Sequence, residues 1–432
     1  MQEVSFAPEI VLLAGGTTMP WAELEAFLDT DRYIDRYGVP DAFHGHFSHE
    51  MSIRTHFGDS VVYPHILAHQ RRAVKGGGNE YGASLLDVLA RFRHAGATDA
   101  RDKVFGLLGL CSDTLGIQSN YSLSIRDVYI DCSVKLIKHH GNLDLLCQGP
   151  WELLGNEGRN PELPSWCPDY AHAGESRILF AQRDIYASGP ELPQVPFAIL
   201  SSGALVLDGF AVDDIAVVRG PVGADTIPGP PFSPGVQTAL LWMPDSLLRE
   251  GIDQGHDDLA SFLKYDNVPS RHCHTDNRLE EYWRTLTLDC MRMPSRRLRE
   301  KELVTLRGVF QRWLVAPFDS YLTSFEDPGF TETKISFTGS GSGDFDPLHA
   351  AYHGWHFAVS RTGLYCMVPR VAKPGDHIAV LPGAKVPVLL RPRDAHSLTF
   401  EWVGACYVHG FMDGEALQPN NGIAKGRRYE IA

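Results

Sequence analysis

The sequence predicts a mixed α and β fold, with a partial α/β segment, a helical middle and a β-rich C-terminal barrel or sandwich. An apolar run over residues 9–15 indicates a strand near the start. Apolar residues then recur at helical spacing between residues 84 and 140. Short apolar runs separated by turn residues fill the last third of the chain. We expect three regions, at residues 1–175, 176–345 and 346–432.

The first predicted strand, residues 9–15, leads directly into a Gly-Gly turn. A continuous apolar run is typical of a strand that is buried on both faces and has neighbours on both sides. Almost nothing precedes this run, so we expect the strand to lie at a sheet edge, or the chain to begin inside a fold. A helix should follow at Pro20 and Trp21, because proline favours the first helical position and acidic residues come next.

A helix is predicted to begin at Ser84, a residue type that caps helices, and to end near Gly96. The next predicted helix follows at once, so residues 84–110 should form two consecutive packed helices. The apolar residues of the first recur on one side, which we expect to be buried: Leu85, Leu86, Val88, Leu89 and Phe92.

The second helix is predicted over residues 101–110. Thr98 and Asp99 are possible caps, and Asp102 lies in the first turn, where a carboxylate interacts favourably with the helix dipole. Its expected buried side consists of Val104, Phe105, Leu107 and Leu108.

A third helix should begin at Ser124, which has capping-box spacing with Asp127, and end at Gly141. Two prolines within residues 163–170 predict an extended segment, with the Trp166 indole in the core.

The middle region should contain an alternating strand at residues 204–215 and a Gly- and Pro-rich loop at residues 219–235. Helical patterns cover residues 236–265, 278–291 and 300–314. The Gly339–Gly343 loop lacks the Gly-Lys-Ser/Thr ending of a phosphate-binding loop, so we interpret it as a linker.

The last third reads as a series of short strands. A hairpin is predicted over residues 356–368 with its turn at residues 361–363, and a second turn at residues 374–376 leads into the next strand. The remaining strands are expected at residues 377–381, 387–391, 398–403 and 405–409.

Composition excludes some classes of function. The formal net charge of −14 disfavours a general binder of nucleic acid or of anionic membranes, which need a cationic surface. Basic runs at residues 70–72 and 296–299 are interpreted as solvated faces. The chain shows neither a secretory leader nor an apolar stretch long enough for a membrane span. Eight scattered cysteines without a Cys-x-x-Cys pair indicate reduced thiols, and we expect a cytoplasmic protein.

Histidine clusters are the weak candidates for a metal site. His44, His46 and His49 are the densest group, but their spacing does not match the helical His-Glu-x-x-His pattern. A second group comprises His272, Cys273, His274 and Asp276, and a third comprises His349, His353 and His356, which would share one helix face. We favour a structural reading of all three, so neither a metal nor a cofactor is predicted, and catalytic residues remain unknown.

Several segments, in order, resemble the fungal heterokaryon-incompatibility (HET) domain family. Residues 1–7, Met-Gln-Glu-Val-Ser-Phe-Ala, resemble its Trp-x-x-Gln-Glu-x-x-x-Ala block. Residues 97–110 are similar to its Thr-Asp-Pro-Arg-Asp-Lys-Val block, with Ala100 where proline is usual. Further matches lie at residues 121–129, 163–169, 375–391 and 403–415. The motif residues so identified are Gln2, Glu3, Arg101, Asp102, Lys103, Trp166, Asp169, Gly375, Asp376, Gly410 and Gly414, and we expect structural roles for them.

Two earlier HET blocks are absent, Leu-Ser-Tyr-x-Trp-Gly and Trp-Ile-Asp-x-x-Cys-Ile-Asn-Gln. The resemblance therefore implies that the chain begins inside the HET domain, with residues 1–175 as its C-terminal part plus a helical extension. HET domains are remotely similar to TIR domains, some of which cleave NAD. The parts that such an activity needs are expected mainly in the absent blocks.

The resemblance implies a protein of fungal nonself recognition and regulated (programmed) cell death that acts through protein partners, such as other incompatibility proteins. We lean against an enzyme. The alternative is an enzyme that cleaves NAD or transforms a small molecule, and a truncated gene model without independent function is a third reading. The oligomeric state is left open by the sequence.

Overall fold

A computed structural model describes residues 2–26, 64, 66–75, 84–93, 95–148, 159–171, 179, 183–219, 278–291, 296–308, 310, 355–394, 398–418 and 425–432. These residues form two compact units. The first comprises the described residues up to 136 together with 170–171, and the second comprises the others. The mixed α and β class and the β-rich C-terminal region are confirmed.

The first unit begins with helix α1, Gln2–Phe6, and an antiparallel hairpin of strands β1, Val11–Ala14, and β2, Thr17–Pro20. Residues 21–26 and 66–75 are helical, which confirms the helix start at Trp21. A small apolar core joins these pieces, made of Val4, Ile10, Leu12, Trp21, Leu24, Leu67 and Ala68.

The prediction that the first strand is buried was wrong. The Gly-Gly turn folds β1 back onto β2, so that only one face of the hairpin is covered. Gly15 adopts a φ of 59°, a left-handed conformation that favours glycine. Val11 is 58% exposed and Leu13 77% exposed on the other face.

Helix α2, Leu85–Arg91, starts as predicted, because the Ser84 hydroxyl accepts a hydrogen bond from the Asp87 amide at 3.2 Å. All the apolar residues assigned to its core side are buried. The helix ends at Phe92 rather than at Gly96.

The predicted second helix is shorter than expected. Helix α3 spans only Asp102–Phe105, and a 3₁₀ turn follows at Leu108–Leu110. Arg101 occupies the cap position, in place of Thr98 or Asp99. On the predicted core side Val104, Phe105 and Leu107 are buried and Leu108 is half-buried.

Helix α4, Ile125–His140, confirms the capping box. The Asp127 amide donates to Ser124 Oγ at 3.1 Å, and the Ser124 hydroxyl donates to the Asp127 carboxylate at 2.7 Å. The helix ends at Gly141, whose φ of 66° lies in the left-handed region.

The second unit is built around strand β4, Leu205–Arg219. Short strand β3, Ala198–Ile199, pairs with its start. The other strands of the same sheet come later in the chain. They are β7, Trp355–Ser360; β8, Tyr365–Pro369; β9, His377–Val380; β10, Val388–Pro392; β11, Thr399–Ala405; β12, Tyr407–Val408; and β13, Lys425–Ile431. Strand β13 was not predicted.

The strand pairings close the sheet into an uneven barrel. On one side, β4 pairs with β7, β7 with β8, and β8 with β12. Strand β12 continues the chain directly from β11. On the other side, β11 pairs with β10, β10 with β9, and β9 with β4. Strand β13 lies between β11 and β4, parallel to the former and antiparallel to the latter. Apolar side chains from these strands fill the interior, among them Val212, Ile215, Ala358, Cys366, Ile378, Val380, Leu389, Val403 and Val408.

Helix α5, Arg278–Leu286, covers the outside of β8. The Tyr282 ring lies 5.2 Å from Phe357 and 6.4 Å from Tyr365, both as centroid distances. The helix predicted over residues 278–291 ends early, because strands β5, Cys290–Met291, and β6, Arg296–Arg297, form a small hairpin next.

Further elements of this unit agree with the sequence. The Trp166 indole is fully buried and donates to the Gly203 carbonyl at 2.9 Å. Residues 300–308 are helical, and the predicted turns at Gly363 and Gly375 have φ values of 95° and 93°. The loop expected beyond residue 219, the helix over residues 236–265 and the Gly339–Gly343 linker lie outside the described residues.

Short 3₁₀ turns at Asp144–Gln148, Arg183–Ile185 and Glu415–Leu417 complete the second unit. Within the described parts of both units, none of the helices has the length and apolar character needed to cross a membrane.

Candidate functional site

The motif residue Arg101 ties α3 to the loop that precedes α4. Its Nη1 donates to the Tyr121 carbonyl at 2.6 Å and to the Leu123 carbonyl at 3.0 Å. Its Nε and Nη2 donate to Asp99 at 3.0 and 2.7 Å. Hydrogen bonds from the Arg101 side chain and amide lower the pKa of Asp99 to about 2.

The next two motif residues, Asp102 and Lys103, bond to other segments of the first unit. The Tyr121 hydroxyl donates to the Asp102 carboxylate at 2.5 Å, and this hydrogen bond raises the pKa of Tyr121. The Lys103 ammonium donates to the carbonyls of Arg93 and Ala95 at 2.8 and 2.6 Å, at the end of α2. Three adjacent charged residues therefore fasten α3 to its surroundings, an arrangement suited to a structural role.

Of the two motif residues at the start, Gln2 contacts the segment that follows α3. Gln2 Nε2 donates to the Gly106 carbonyl at 3.1 Å, and a Cβ atom at Gly109 would lie only 2.7 Å from that nitrogen. Glu3 is exposed, and its carbonyl accepts from the Ala7 amide.

In the second unit, Asp169 is buried and accepts a hydrogen bond from the Asn160 amide at 2.8 Å. Asp376 is buried in the barrel and forms a two-pronged ion pair with Arg391. Its carboxylate also accepts from the Lys373 amide at 2.8 Å, while the neighbouring Gly375 amide donates to the Ile215 carbonyl. These contacts hold the turn before β9 against β4.

A charged cluster that the sequence did not reveal lies beside one end of the barrel. We call Tyr186, Arg284, Asp289, Arg297, Tyr407, His409 and Asp413 the Asp289 cluster. At its centre the buried Asp289 carboxylate accepts from Arg284 Nε at 2.7 Å and from Arg297 Nη2 at 2.7 Å. Leu288 and Asp289 both have positive φ, 54° and 50°, which is uncommon for residues other than glycine. Such strain persists only where the surroundings enforce it, and it concentrates at functional sites.

Aromatic side chains line the same cluster. The Tyr186 hydroxyl donates to the Leu288 carbonyl at 2.7 Å, and the Arg297 guanidinium lies 5.2 Å from the Tyr186 ring centroid. The Tyr407 oxygen lies 3.2 Å from His409 Nδ1. Burial raises the pKa of both tyrosines well above the usual value, so both hydroxyls remain protonated and act as hydrogen-bonding groups.

The cluster reaches the surface through Arg297 and Asp413. Their side chains are 29% and 46% exposed, and the Arg297 Nη2 to Asp413 Oδ2 distance is 3.0 Å. Burial raises the pKa of Asp413, although Arg297 acts in the opposite direction. The motif residues Gly410 and Gly414 flank this segment with φ values of 77° and 86° and so shape the loop that carries Asp413.

The two basic runs are solvated only in part, since Arg72 and Arg299 are exposed but other residues of the runs are not. Arg297 points at the buried Asp289 rather than at water alone. In the first unit Gln70 and Arg71 are buried, and Arg71 donates to the carbonyls of Val4 and Pro8 at 2.7 and 3.1 Å. Carbonyls distant in sequence accept the hydrogen bonds of Arg71, and local charge patterns do not predict such contacts.

Of the three histidine clusters, the structure describes only one residue, His356. His44, His46 and His49, and the group from His272 to Asp276, lie outside the described residues, as do His349 and His353. His356 lies in strand β7, so the predicted helix face is wrong at this position. Burial lowers the pKa of His356 to about 4, and Arg370 adds to the effect. Among the described residues, no group of three or more His, Cys, Asp or Glu side chains could hold a metal ion.

Comparison with protein families identifies the barrel region. Residues 341–421 match the family model of the Het-6 beta-barrel domain. The match supports the resemblance to HET-related proteins for this part of the chain. No curated protein and no solved structure matches the chain significantly. The matched range contains β7 to β12, Asp376 and the Asp413 loop.

Proposed function

We propose that this chain is a HET-related protein of fungal nonself recognition and regulated cell death, and that it acts by binding other proteins. The observation that carries the proposal is the Het-6 beta-barrel match over residues 341–421, on strands whose enclosed side is filled. We further propose that Arg297 and Asp413 form its recognition surface.

The barrel interior supports binding at the outside. Apolar side chains from seven of its strands occupy the space that they enclose, including Ile378 and Leu389, which are completely buried. A small barrel filled by its own side chains serves as a rigid scaffold, and its loops carry recognition. An enzymatic pocket inside the barrel would need polar groups that converge on an open volume.

The exposed ion pair supports the choice of surface. The Asp289 carboxylate and the Tyr186 ring both contact the Arg297 guanidinium, so they hold it in a defined position. Arginine flanked by tyrosine is characteristic of the residues that contribute most to protein interfaces. Asp413 beside it supplies a partner of opposite charge, which favours a binding partner with complementary charges.

We also propose that the protein is cytoplasmic. Within the described parts of the chain no disulfide joins any cysteines, and six of the seven cysteines described there are buried. Reduced, buried thiols are typical of proteins in a reducing compartment.

Expression in fungal strains of different incompatibility types would test the proposal. We expect cell death, measured by uptake of a vital dye, in some types and not in others. Asp413→Lys should abolish it, because two like charges would then face each other at the surface. Glu401→Lys is the matched control, since Glu401 belongs to an exposed pair with Arg393 elsewhere on the barrel. Equal responses of the two folded variants would contradict the assigned surface.

The enzymatic alternative has a direct test. We expect purified protein incubated with NAD to release no nicotinamide above a heat-denatured control. Release that follows the concentration of folded protein would contradict a function by binding alone and would favour NAD cleavage.

A further inference from the structure

Among the described residues, one edge of the hairpin of the first unit has backbone N–H and C=O groups that no further strand pairs with. In an antiparallel pair, residues alternate between those that bond to the neighbouring strand and those whose N–H and C=O point away. The Trp21 amide donates to the Ile10 carbonyl at 3.0 Å, which fixes this alternation along β1. Leu12 and Ala14 therefore bond to β2, whereas Val11 and Leu13 direct their N–H and C=O outward.

The side chains at this edge are also exposed. Val11 and Leu13 are 58% and 77% exposed, while Leu12 packs into the small core beside Trp21. Strand Val11–Ala14 carries no charge, proline or bulge, the devices by which proteins protect an edge from pairing. Among the described residues, β1 pairs with β2 alone.

The opposite edge of the hairpin is protected. On β2 the outward backbone groups belong to Thr18 and Pro20, which face Leu13 and Val11 across the ladder. Pro20 has no N–H to donate, so it blocks the addition of a strand there. The two edges of one small hairpin therefore differ, and only that of β1 can accept another strand.

We propose that β1 pairs with β1 of a second copy of this chain, antiparallel and centred on Leu12. In this register Val11 faces Leu13 of the partner subunit, and Leu13 faces Val11 of the partner subunit. All four residues point their N–H and C=O at each other, so every outward group finds a partner. The exposed apolar side chains come together on one face of a four-stranded sheet, and Leu12 meets Leu12 of the partner subunit on the other.

A second copy fits this edge better than an unrelated strand, because the register is self-complementary. The pairing obeys a two-fold axis, so each copy uses the β1 edge of its hairpin and this pairing stops at a dimer. Glu9, the charged residue next to β1, would face Gly15 of the partner subunit and meets no like charge. The inference rests on the hairpin alone and holds whether or not the proposed function is correct.

Proline substitutions on the two edges test the pairing. The mass of the full chain in solution, measured by light scattering over a range of concentrations, should approach twice that of a single chain. Leu13→Pro should return the protein to the monomer mass, because it removes an outward N–H that bonds to the second copy. Thr18→Pro removes an outward N–H from the opposite edge of the same hairpin and should leave the dimer intact. A monomeric wild type, or a dimer that both variants retain, would overturn the proposal.

A cross-linking experiment tests the register without proline. Facing residues that do not share hydrogen bonds have Cα atoms about 4.5 Å apart, within the range of a disulfide. Leu12→Cys should therefore form an intermolecular disulfide under mild oxidation. Ala14→Cys should not, because each copy then carries its new thiol opposite Ile10 of the partner subunit. Cross-linking of Ala14→Cys and the wild type as strongly as of Leu12→Cys would refute the pairing.

Discussion

The carboxylate of Asp376 and the guanidinium of Arg391 form a two-pronged ion pair, with distances of 2.8 Å from Nε to Oδ1 and 2.9 Å from Nη2 to Oδ2. The Asp376 side chain is 2% exposed. Arg391 also donates to the Val371 carbonyl at 2.8 Å, so the pair fastens the turn before β9 to strand β10. Both residues lie in the range that matches the Het-6 beta-barrel model.

Removing one partner of this pair should strongly destabilise the barrel. Asp376→Ala removes the buried carboxylate from its two-pronged ion pair with Arg391, and breaking a buried pair in this way costs about 3–5 kcal/mol. Urea unfolding followed by tryptophan fluorescence would measure the loss. Glu401→Ala is the control, because it breaks the exposed pair with Arg393 and should cost at most about 1 kcal/mol. Equal losses in the two variants would contradict the importance assigned to the buried pair.

Acid should weaken the first unit at the Asp99–Arg101 contact. The folded pKa of Asp99 is lowered from 3.8 to about 2, so the folded state binds this proton less readily than the unfolded chain. The resulting stability is complete above the unfolded pKa and is lost as the pH falls from about 4 through about 2. Asp99→Asn should flatten this part of the pH–stability curve. Asp208→Asn makes the same charge change at an exposed position of the second unit. If the two variants gave the same acid slope for the first unit, the contact would not contribute.

Two adjacent strands provide a matched test of packing. A Cβ atom at Gly209 would lie 2.5 Å from a Leu381 methyl carbon and 3.1 Å from the Tyr429 ring. Gly209→Ala should therefore destabilise the second unit by about 1–3 kcal/mol through overpacking. Gly426, on β13 beside β4, meets nothing within 4 Å, and Gly426→Ala should be close to neutral. The free energies of unfolding of the two variants, measured in urea, check both expectations. A Gly209→Ala variant as stable as the wild type would show that the neighbouring side chains shift to make room for the methyl group.

A charge placed at Leu107, between α3 and the following 3₁₀ turn, should abolish soluble expression. Leu107 is 7% exposed, and Leu107→Asp buries a carboxylate without a partner, which costs several kcal/mol. Leu123→Asp, at a position that is 40% exposed, should remain soluble. The soluble fraction after lysis is the measurement. A folded, soluble Leu107→Asp protein would mean that the Leu107 position is accessible to solvent.

Features set by neighbouring residues could be predicted from the sequence. Ser84 and Ser124 cap their helices because hydroxyl and amide lie within three residues of each other. The turns at Gly363 and Gly375 follow from the conformational freedom of glycine. The alternation from residue 204 likewise predicts β4, since every second side chain faces the same side.

Features set by distant residues could not be predicted. The inward direction of Arg297 depends on Asp289 and Tyr186, which come from separate segments. The sequence does not predict strand β13, because this charged segment acquires strand structure by pairing with β4. Val11 and Leu13 were expected to be buried because an apolar run looks the same whether one face or both are covered.

The pairing of β4 with strands much later in the chain affects how the protein folds during synthesis. It pairs with β7, β9 and β13, all of which follow it by long stretches of chain. Contacts between residues so far apart form slowly, because a long loop must close before they gain stability. During translation, β4 therefore cannot complete its pairing until its last partner, β13, has been made. Because apolar strands stay exposed in that interval, we expect the yield of folded protein in the cell to rise with the supply of chaperones that shield such strands.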